Sequence, residues 1–337
     1  MIDITQEEIM RTWGIENCDK PLVSVRCITY NQQDYIHQSL DGFLMQKTTF
    51  PFEVIVHDDA STDKTAEVIR KYEAKFPKIV KPIYETENQY SKHDGSLGRI
   101  VNAACKGKYI ALCEGDDYWI DENKLQMQVD FLENNPEYTM CFHKAKIKKE
   151  LDVRCELKCD LITDRDYSAF ELFHNWIVPT ASICIRKYIF DKKIKNPHKI
   201  LNGDIVIVEK AAHSGKVRGF GTTMSVYRVQ SSGVTYDEKL QHSRSLAYPD
   251  HFLTLRENFP RIRGMHINLA IFNTAMYVYT NIDRDSKWLR KAFIGSPTYF
   301  VFFALRKIIL NILRNFPRLY NLSRKIYRYI KSKMIIK

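Results

Sequence analysis

The chain has 337 residues, 45% of them hydrophobic and 27% charged, which excludes a disordered or collagen-like polymer and allows one large core with an appendage. Its net charge of +11 is uneven: Arg284 to Lys337 holds 14 Lys/Arg against one acid, Asp285, a balance of +13, leaving 37 basic and 39 acidic residues, a balance of −2, elsewhere. The polar, acidic start ("MIDITQEEIMRTWGIENCDK") lacks a signal-peptide core, no stretch reaches the ~18 apolar residues of a membrane span, and the 8 Cys form no CxxC pair, so a reducing cytoplasm is expected.

After a polar segment at 1–20, strands and helices alternate. "LVSVRCIT" has the length and β-branching of a strand. "DYIHQSLDGFLMQ" then places Ile36, Leu40, Phe43 and Leu44 on one helical face. "FEVIVHD" predicts a second strand, and "TAEVIRKYEAKF" a helix through Ala66, Ile69, Tyr72 and Phe76. "IVKPIY" is a weaker strand, "SLGRIVNAAC" a helix, "KYIALC" a strand and "NKLQMQVDFLENN" a helix stopped by Pro136. "YTMCFHKAKI" closes this part, 21–145, as another strand. Strands separated by helix-length segments predict a mostly parallel sheet with helices on both faces.

Residues 146–235 are less regular. "TASICIRKYIF" and "GKVRGFGTTMSVYRV" have strand patterns, with "GDIVIVEKAAHSG" as a helix between them. From 236 to 337 the pattern is helical throughout, ending in the basic extension.

Ligands of an open α/β sheet bind beyond the carboxyl ends of its strands. Two acidic clusters fall there: "HDDASTD" at 57–63 and "CEGDDYW" at 113–119. Asp63, Ser61 or Thr62 can cap the helix that starts near Thr65, but a cap does not account for the adjacent Asp58 and Asp59. Likewise Asp121 or Glu122 can open the helix after "EGDDYW". Acids at two strand ends on one rim are better explained by a shared ligand, because repelling carboxylates are tolerable around a divalent cation that also meets a phosphate. Neighbours in extended chain point in opposite directions, so one Asp can face a metal while the other reaches a ribose hydroxyl.

"VSVRCITYN", "VIVHDDASTDKT" and "GKYIALCEGDDYW", in this order, resemble the family 2 glycosyltransferases of the GT-A fold. The resemblance is strong over 21–145, the nucleotide-sugar-binding half, and loose over 146–235, the acceptor-binding half. It implies a Rossmann-like mixed sheet, a nucleoside-diphosphate-sugar donor, Mn²⁺ or Mg²⁺, and inversion at the anomeric carbon. Carried onto this chain, it places Ile28, Thr29, Tyr30 and Asn31 along the nucleotide and Asp59 at the donor base, a uracil being favoured. It places Asp116 at the ribose, Asp117 on the metal, Glu114 as support for the loop and Arg99 facing the diphosphate.

The acceptor hydroxyl needs a base across the sugar from the leaving group. Asp204 in "LNGDIVIVEKAA" stands at a Gly-Asp opening a helix, where the family has its catalytic carboxylate; by position alone it is equally a helix cap. In "SVYRVQSSGVT", Arg228 is expected at the diphosphate, and Gln230 stands where relatives often carry a metal-ligating His. His213 and His242 are weaker alternatives. Tyr118 and Trp119 are expected to pack, and "TAS" at 180–182 to be an acceptor contact or strand-edge polarity. The QxxRW motif of processive synthases is absent, so transfer of a single sugar to a glycan or lipid-linked acceptor in bacterial surface polysaccharide synthesis is expected. A nucleotidyltransferase would want a Gly-rich loop where this chain has "TYNQQDY". An inactive nucleotide-sugar-binding scaffold is the remaining rival.

In the extension, Leu305, Ile309, Ile312 and Leu313 fall near one face with Arg306 and Arg314 outside it, the pattern of an interfacial helix. Peripheral attachment of 284–337 to an anionic membrane at the cytoplasmic face is expected, and no nucleic-acid module is visible.

Overall fold

The computed structural model describes residues 2–14, 20–149, 158–175, 177–230, 238–262, 264–301 and 303–305. The elements in chain order are α1 (Gln6–Met10), β1 (Val23–Thr29), α2 (Ile36–Leu44), β2 (Phe52–Asp58), α3 (Thr65–Lys75), β3 (Val80–Tyr84), α4 (Ser96–Ala104) and β4 (Tyr109–Leu112). There follow β5 (Tyr118–Trp119), α5 (Lys124–Asn134), β6 (Tyr138–Lys149), β7 (Arg165–Asp166), α6 (Ala169–Asn175), β8 (Cys184–Arg186), α7 (Lys187–Phe190), α8 (Gly203–Ser214) and β9 (Lys216–Val229). The last elements are α9 (Glu238–Asn258), α10 (Met265–Asn281) and α11 (Ser286–Gly295).

The strands form one mixed sheet in the order β3-β2-β1-β4-β8-β6-β9-β5, with β7 also on β9. The pairs β3-β2, β2-β1, β1-β4 and β6-β9 are parallel, and β8 runs antiparallel to both neighbours. The near-continuous apolar runs of β1, β2 and β4 are those of strands covered on both faces, and their residues are almost all buried. From β1 the chain builds outward through β2 and β3, then returns to place β4 on the other side of β1. The strand order therefore reverses at the β1/β4 boundary, where an open α/β sheet offers a crevice.

Two expectations need correction. "TASICIRKYIF" is not one strand: Thr180–Ser182 is a 3-10 turn, only Cys184–Arg186 pairs, and Lys187–Phe190 is helical. β8 is squeezed between β4 and β6, whose registers with it cover only three and two residue pairs. The start of the chain is not merely polar. Thr5 and Glu8 form a capping box for α1, and Ile9 and Trp13 are buried in the same core as β1 and β2. Cys27, Cys105, Cys113, Cys141, Cys159 and Cys184 are buried free thiols.

Contacts divide the chain into two units. The first spans Met1–His242 with Thr254–Ile262 and contains the whole sheet. The second comprises Ser243–Leu253 and the chain from Arg263. In it α10 and α11 share a small core of Phe272, Ala275, Met276 and Ala292. Among the described residues no helix is long and apolar enough to cross a membrane. Of the interfacial pattern expected around 305–314, residues 306 onward lie outside the described residues.

Candidate active site

β1 and β2 end side by side, with Thr29 opposite Asp58. The loops beyond them hold one another. Asn31 N–H donates to Ser61 Oγ (2.9 Å), Thr62 N–H to Asn31 Oδ1 (2.8 Å) and Gln33 N–H to Asp63 Oδ2 (3.1 Å). Asn31 and Ala60 both adopt left-handed backbone, with φ of 50° and 62°. That region is sparsely populated by residues with a Cβ and persists where surrounding contacts enforce it. Ile28 is half-buried, the Thr29 hydroxyl donates to Gln32 Oε1 (2.8 Å), and Tyr30 lies exposed on the rim.

Asp59 is buried, and its two carboxylate oxygens accept backbone N–H groups of Gln89 (2.7 Å) and Tyr90 (3.0 Å). The residue expected at the donor base thus clamps the segment after β3 onto the end of β2. Asp58 accepts from Ser61 N–H (3.1 Å), and Asp63 accepts from Thr65 N–H (2.9 Å) as well as Gln33. Burial raises the Asp63 pKa, but the hydrogen bonds from Thr65 and Gln33 outweigh it and the net shift is downward.

The second cluster lies across β1. Cys113 N–H donates to Arg26 O and Gly115 N–H to Ile28 O (2.9 Å), so the chain leaving β4 follows β1 to its end. A Cβ at Gly115 would lie 2.5 Å from Gln32 Oε1 and 2.7 Å from Thr29 Cβ, which explains the glycine. Ser39 Oγ, from α2, reaches the carbonyls of Gly115 (2.9 Å) and Asp117 (2.5 Å) and fixes the turn. The next two residues form β5, Tyr118 opposite Val226 and Trp119 opposite Ser225, which carries the acids to the end of β9.

There, Asp117 is buried and its Oδ1 accepts Arg228 N–H (2.8 Å); its other oxygen makes no hydrogen bond among the described residues. Gln230 Nε2 donates to Asp116 Oδ2 (3.3 Å). The guanidinium of Arg228 donates to Asp116 O and Gln38 Oε1 and lies over the rings of Tyr35 (4.9 Å) and Tyr118 (4.7 Å). With 4% exposure, Arg228 is built into the wall that holds Asp116.

These acids stand close enough to raise one another. Burial and then Asp116 push Asp117 well above the usual carboxylate range. Glu114 is raised to about 7 by burial, with Asp116 and Asp204 adding to the rise and Arg26 opposing it, although 34% of its side chain meets solvent. Asp204, in the first turn of α8, is therefore within electrostatic range of this cluster. Asn202 occupies the helix cap, and Asp204 Oδ1 accepts from Ile205 N–H (3.0 Å).

Among the described residues no three His, Cys, Asp or Glu side chains converge as a metal cage. Mg²⁺ and similar hard cations are commonly held by one or two carboxylates together with substrate phosphates. Asp117, whose ionisation is opposed by burial and by the neighbouring Asp116 in the absence of a cation, fits such a site, with Asp116 as a second oxygen donor beside it.

Arg99 is not brought into the cluster: two-thirds exposed on α4, it is tied to Asp94 O (2.7 Å) and Asp94 Oδ2 (3.7 Å). His213 is engaged with Glu209 and Arg261 N–H, and His242 is exposed. Arg26 escapes a sequence reading, yet it is the cation beside Glu114. It is 9% exposed, donates to Asn102 Oδ1 (2.9 Å) and lies 3.8 Å from Glu114. A lone Arg within the otherwise apolar "VSVRCIT" was the available signal.

Residues 24–193 match the model of glycosyl transferase family 2. The uncharacterized protein Rv1520 of Mycobacterium tuberculosis is 32% identical over 89% of this chain and 82% of its own length. The chain belongs to glycosyl transferase family 2, and it is a glycosyltransferase. The UDP-Glc:alpha-D-GlcNAc-diphosphoundecaprenol beta-1,3-glucosyltransferase WfaP of Escherichia coli is 33% identical over 33% of this chain and 41% of its own. The putative teichuronic acid biosynthesis glycosyltransferase TuaG of Bacillus subtilis is 34% identical over 34% and 42%. Among solved structures, S. aureus TarS 1–349 superposes with a TM-score of 0.58 at 16% identity over 82% of both chains, so the mixed sheet is the GT-A fold. TarS 1–349 has also been solved with UDP-GlcNAc, at a TM-score of 0.57 and 15% identity over 81% of this chain and 80% of that one.

Proposed function

We propose that this glycosyltransferase transfers one sugar, with inversion, from a nucleoside-diphosphate sugar to a hydroxyl of a glycan or lipid-linked acceptor in bacterial surface polysaccharide synthesis. The observation that carries the reading is that Glu114 lies within electrostatic range of Asp116 and Asp204, and Asp117 of Asp116 and Glu114, beside the β1/β4 switch point. The named activities of WfaP and TuaG favour a lipid-diphosphate-linked or surface-polymer acceptor, and the UDP-sugars named for WfaP and TarS favour a UDP-sugar donor.

In this reading Ile28, Thr29, Tyr30 and Asn31 line the nucleotide, and Asp59 fixes the wall of the base pocket through Gln89 and Tyr90. Asp116 accepts from the ribose, and Asp117 holds Mn²⁺ or Mg²⁺. When bound, the metal neutralises charge on the departing diphosphate. Arg228 and Ser39 keep the two acids apart and correctly turned. Asp204 takes the proton from the acceptor hydroxyl as it attacks the anomeric carbon, a step for which it must be ionised. Attachment of 284–337 at the inner face of the membrane is part of the same proposal. Its 14 cations and one acid support it, as do Phe293, Ile294, Val301 and Leu305, exposed in the described portion.

The test is thermal stability against a panel of nucleoside diphosphates with Mn²⁺, with Mg²⁺ and with chelator. Occupancy at ~100 times the dissociation constant adds about 2.7 kcal/mol. One nucleotide giving a metal-dependent rise names the donor class. Folded protein that responds to no nucleotide contradicts the reading.

A further inference from the structure

Outside the acidic cluster, the most unusual charge arrangement lies on β6. After His143 the strand continues as Lys144-Ala145-Lys146-Ile147-Lys148-Lys149. Alternate residues of a strand share a face, so Lys144, Lys146 and Lys148 form one row at intervals of about 7 Å, while Ala145 points into the core. Lys146 and Lys148 are exposed and Lys144 half-exposed.

Some lysines elsewhere on this surface have carboxylate partners, such as Lys47 with Glu122, Lys108 with Glu133 and Lys187 with Asp191, while others, such as the exposed Lys64, Lys78, Lys106 and Lys193, have no ion pair among the described residues. Among the described residues, Lys144, Lys146 and Lys148 have none. An ordinary solvated strand face would mix signs; this one carries three cations in sequence on the side that leads to the site.

The register gives the row its direction. β6 is parallel to β9, with Lys146 beside Val226 and Lys148 beside Arg228, and Val226 in turn lies opposite Tyr118 of β5. Registered neighbours share a sheet face about 4.8 Å apart. The row is thus one strand removed from Arg228, whose guanidinium holds Asp116. It flanks the acids from the acceptor half of the sheet, the side opposite β1 and the nucleotide loops.

We infer that Lys144, Lys146 and Lys148 bind the phosphate groups of the acceptor, whose class is therefore a saccharide carried on a diphosphate. This rests on the function proposed above and deepens it. Lysine ammonium groups pair with phosphate as point charges without demanding one geometry, which suits a substrate that must enter and leave.

The experiment titrates full-length protein, saturated with UDP and Mn²⁺ so that the donor site is filled, with farnesyl diphosphate and, separately, farnesol. The wild type should bind the diphosphate at least tenfold more tightly than the alcohol, with an affinity that falls as salt rises. Lys144→Ser/Lys146→Ser/Lys148→Ser should lose that tenfold preference, and the triple Lys→Arg variant should keep it. The UDP-dependent thermal shift should be the same in all three proteins, which shows that they are folded and that the donor site is intact. Equal affinity for diphosphate and alcohol, absence of binding, or wild-type preference in the triple Ser variant overturns the inference. So does lysine-dependent binding to phosphatidylglycerol vesicles without diphosphate preference, which would assign the row to the lipid surface. Absence of a UDP shift in the wild type is the separate failure of the donor-site reading; the lysine row is then judged from the same titration without UDP.

Discussion

The two acidic clusters use the same residue types on the same rim of one sheet, and their electrostatics are opposite. In "HDDASTD" each carboxylate is met by backbone N–H: Asp58 by Ser61, Asp59 by Gln89 and Tyr90, Asp63 by Gln33 and Thr65. In "CEGDDYW" the acids crowd one another, and Glu114 and Asp117 are driven upward. Asp63, held by the hydrogen bonds from Thr65 and Gln33, lies below the ordinary carboxylate value, whereas carboxylates buried together hold the fold at a cost until a cation arrives. The first cluster is scaffold; the second has the character of a site awaiting its ligand.

The sharpest test of this division is on catalysis. Asp204→Asn should lower kcat by roughly 10²–10⁴-fold, the usual worth of a general base, while leaving the metal-dependent nucleotide shift in place. Asp117→Asn should abolish that shift together with turnover. Nucleotide thermal shifts and initial rates on both variants check this, and equal loss of nucleotide binding in the two would undo the separation of roles. Next in size is Gly115→Ala. Thr29 Cβ cannot yield as the end of Gln32 can, so overpacking should cost about 1–3 kcal/mol, measured by denaturant unfolding. The damage falls where the two clusters meet, and donor binding should weaken with it.

Much of this was legible in the chain. The apolar runs of β1, β2 and β4, and the helix periods between them, predict a parallel sheet because period and burial are local properties. The acids of "EGDDYW" mark a strand end for the same reason. Less legible were features decided by distant partners. β5 is two residues long and is a strand only because Val226 and Ser225 lie opposite. Asp59 looks available for a ligand until the chain beyond β3 returns to place Gln89 and Tyr90 on it. "TASICIRKYIF" has β-branched composition, but the space between β4 and β6 admits only three residues of it. Arg26 shows the converse: its oddity was visible, while its partner Glu114 became evident only once β4 lay beside β1.

A pH titration of metal-free protein separates the clusters by sign. Glu114 goes from an ordinary carboxylate near 4.5 when unfolded to about 7 when folded. Between those values the folded state binds the extra proton, so this group makes stability fall as pH rises, with no further change above about 7. Glu114→Gln should flatten that decline in Tm across pH 4.5–7, and saturating Mn²⁺ with UDP should reduce it in the wild type. A decline of unchanged slope in Glu114→Gln would place the repulsion elsewhere.

The smallest effect belongs to Asp63. Its folded pKa lies below 3.8, so the stability it contributes is fully present above that value and is lost as pH falls through the lowered one. Asp63→Asn keeps the shape and one acceptor oxygen but removes the charge that strengthens the bonds from Gln33 and Thr65. Charge-assisted hydrogen bonds exceed neutral ones by about 1 kcal/mol, so the variant should lose roughly that much at pH 7 and much less at about pH 3. Urea unfolding at the two pH values measures the difference. Because the loss should shrink towards low pH while the burden from Glu114 grows towards high pH, the two variants should change the pH dependence of stability in opposite directions. If both changed it in the same direction, the division into scaffold and site would be wrong at its electrostatic root.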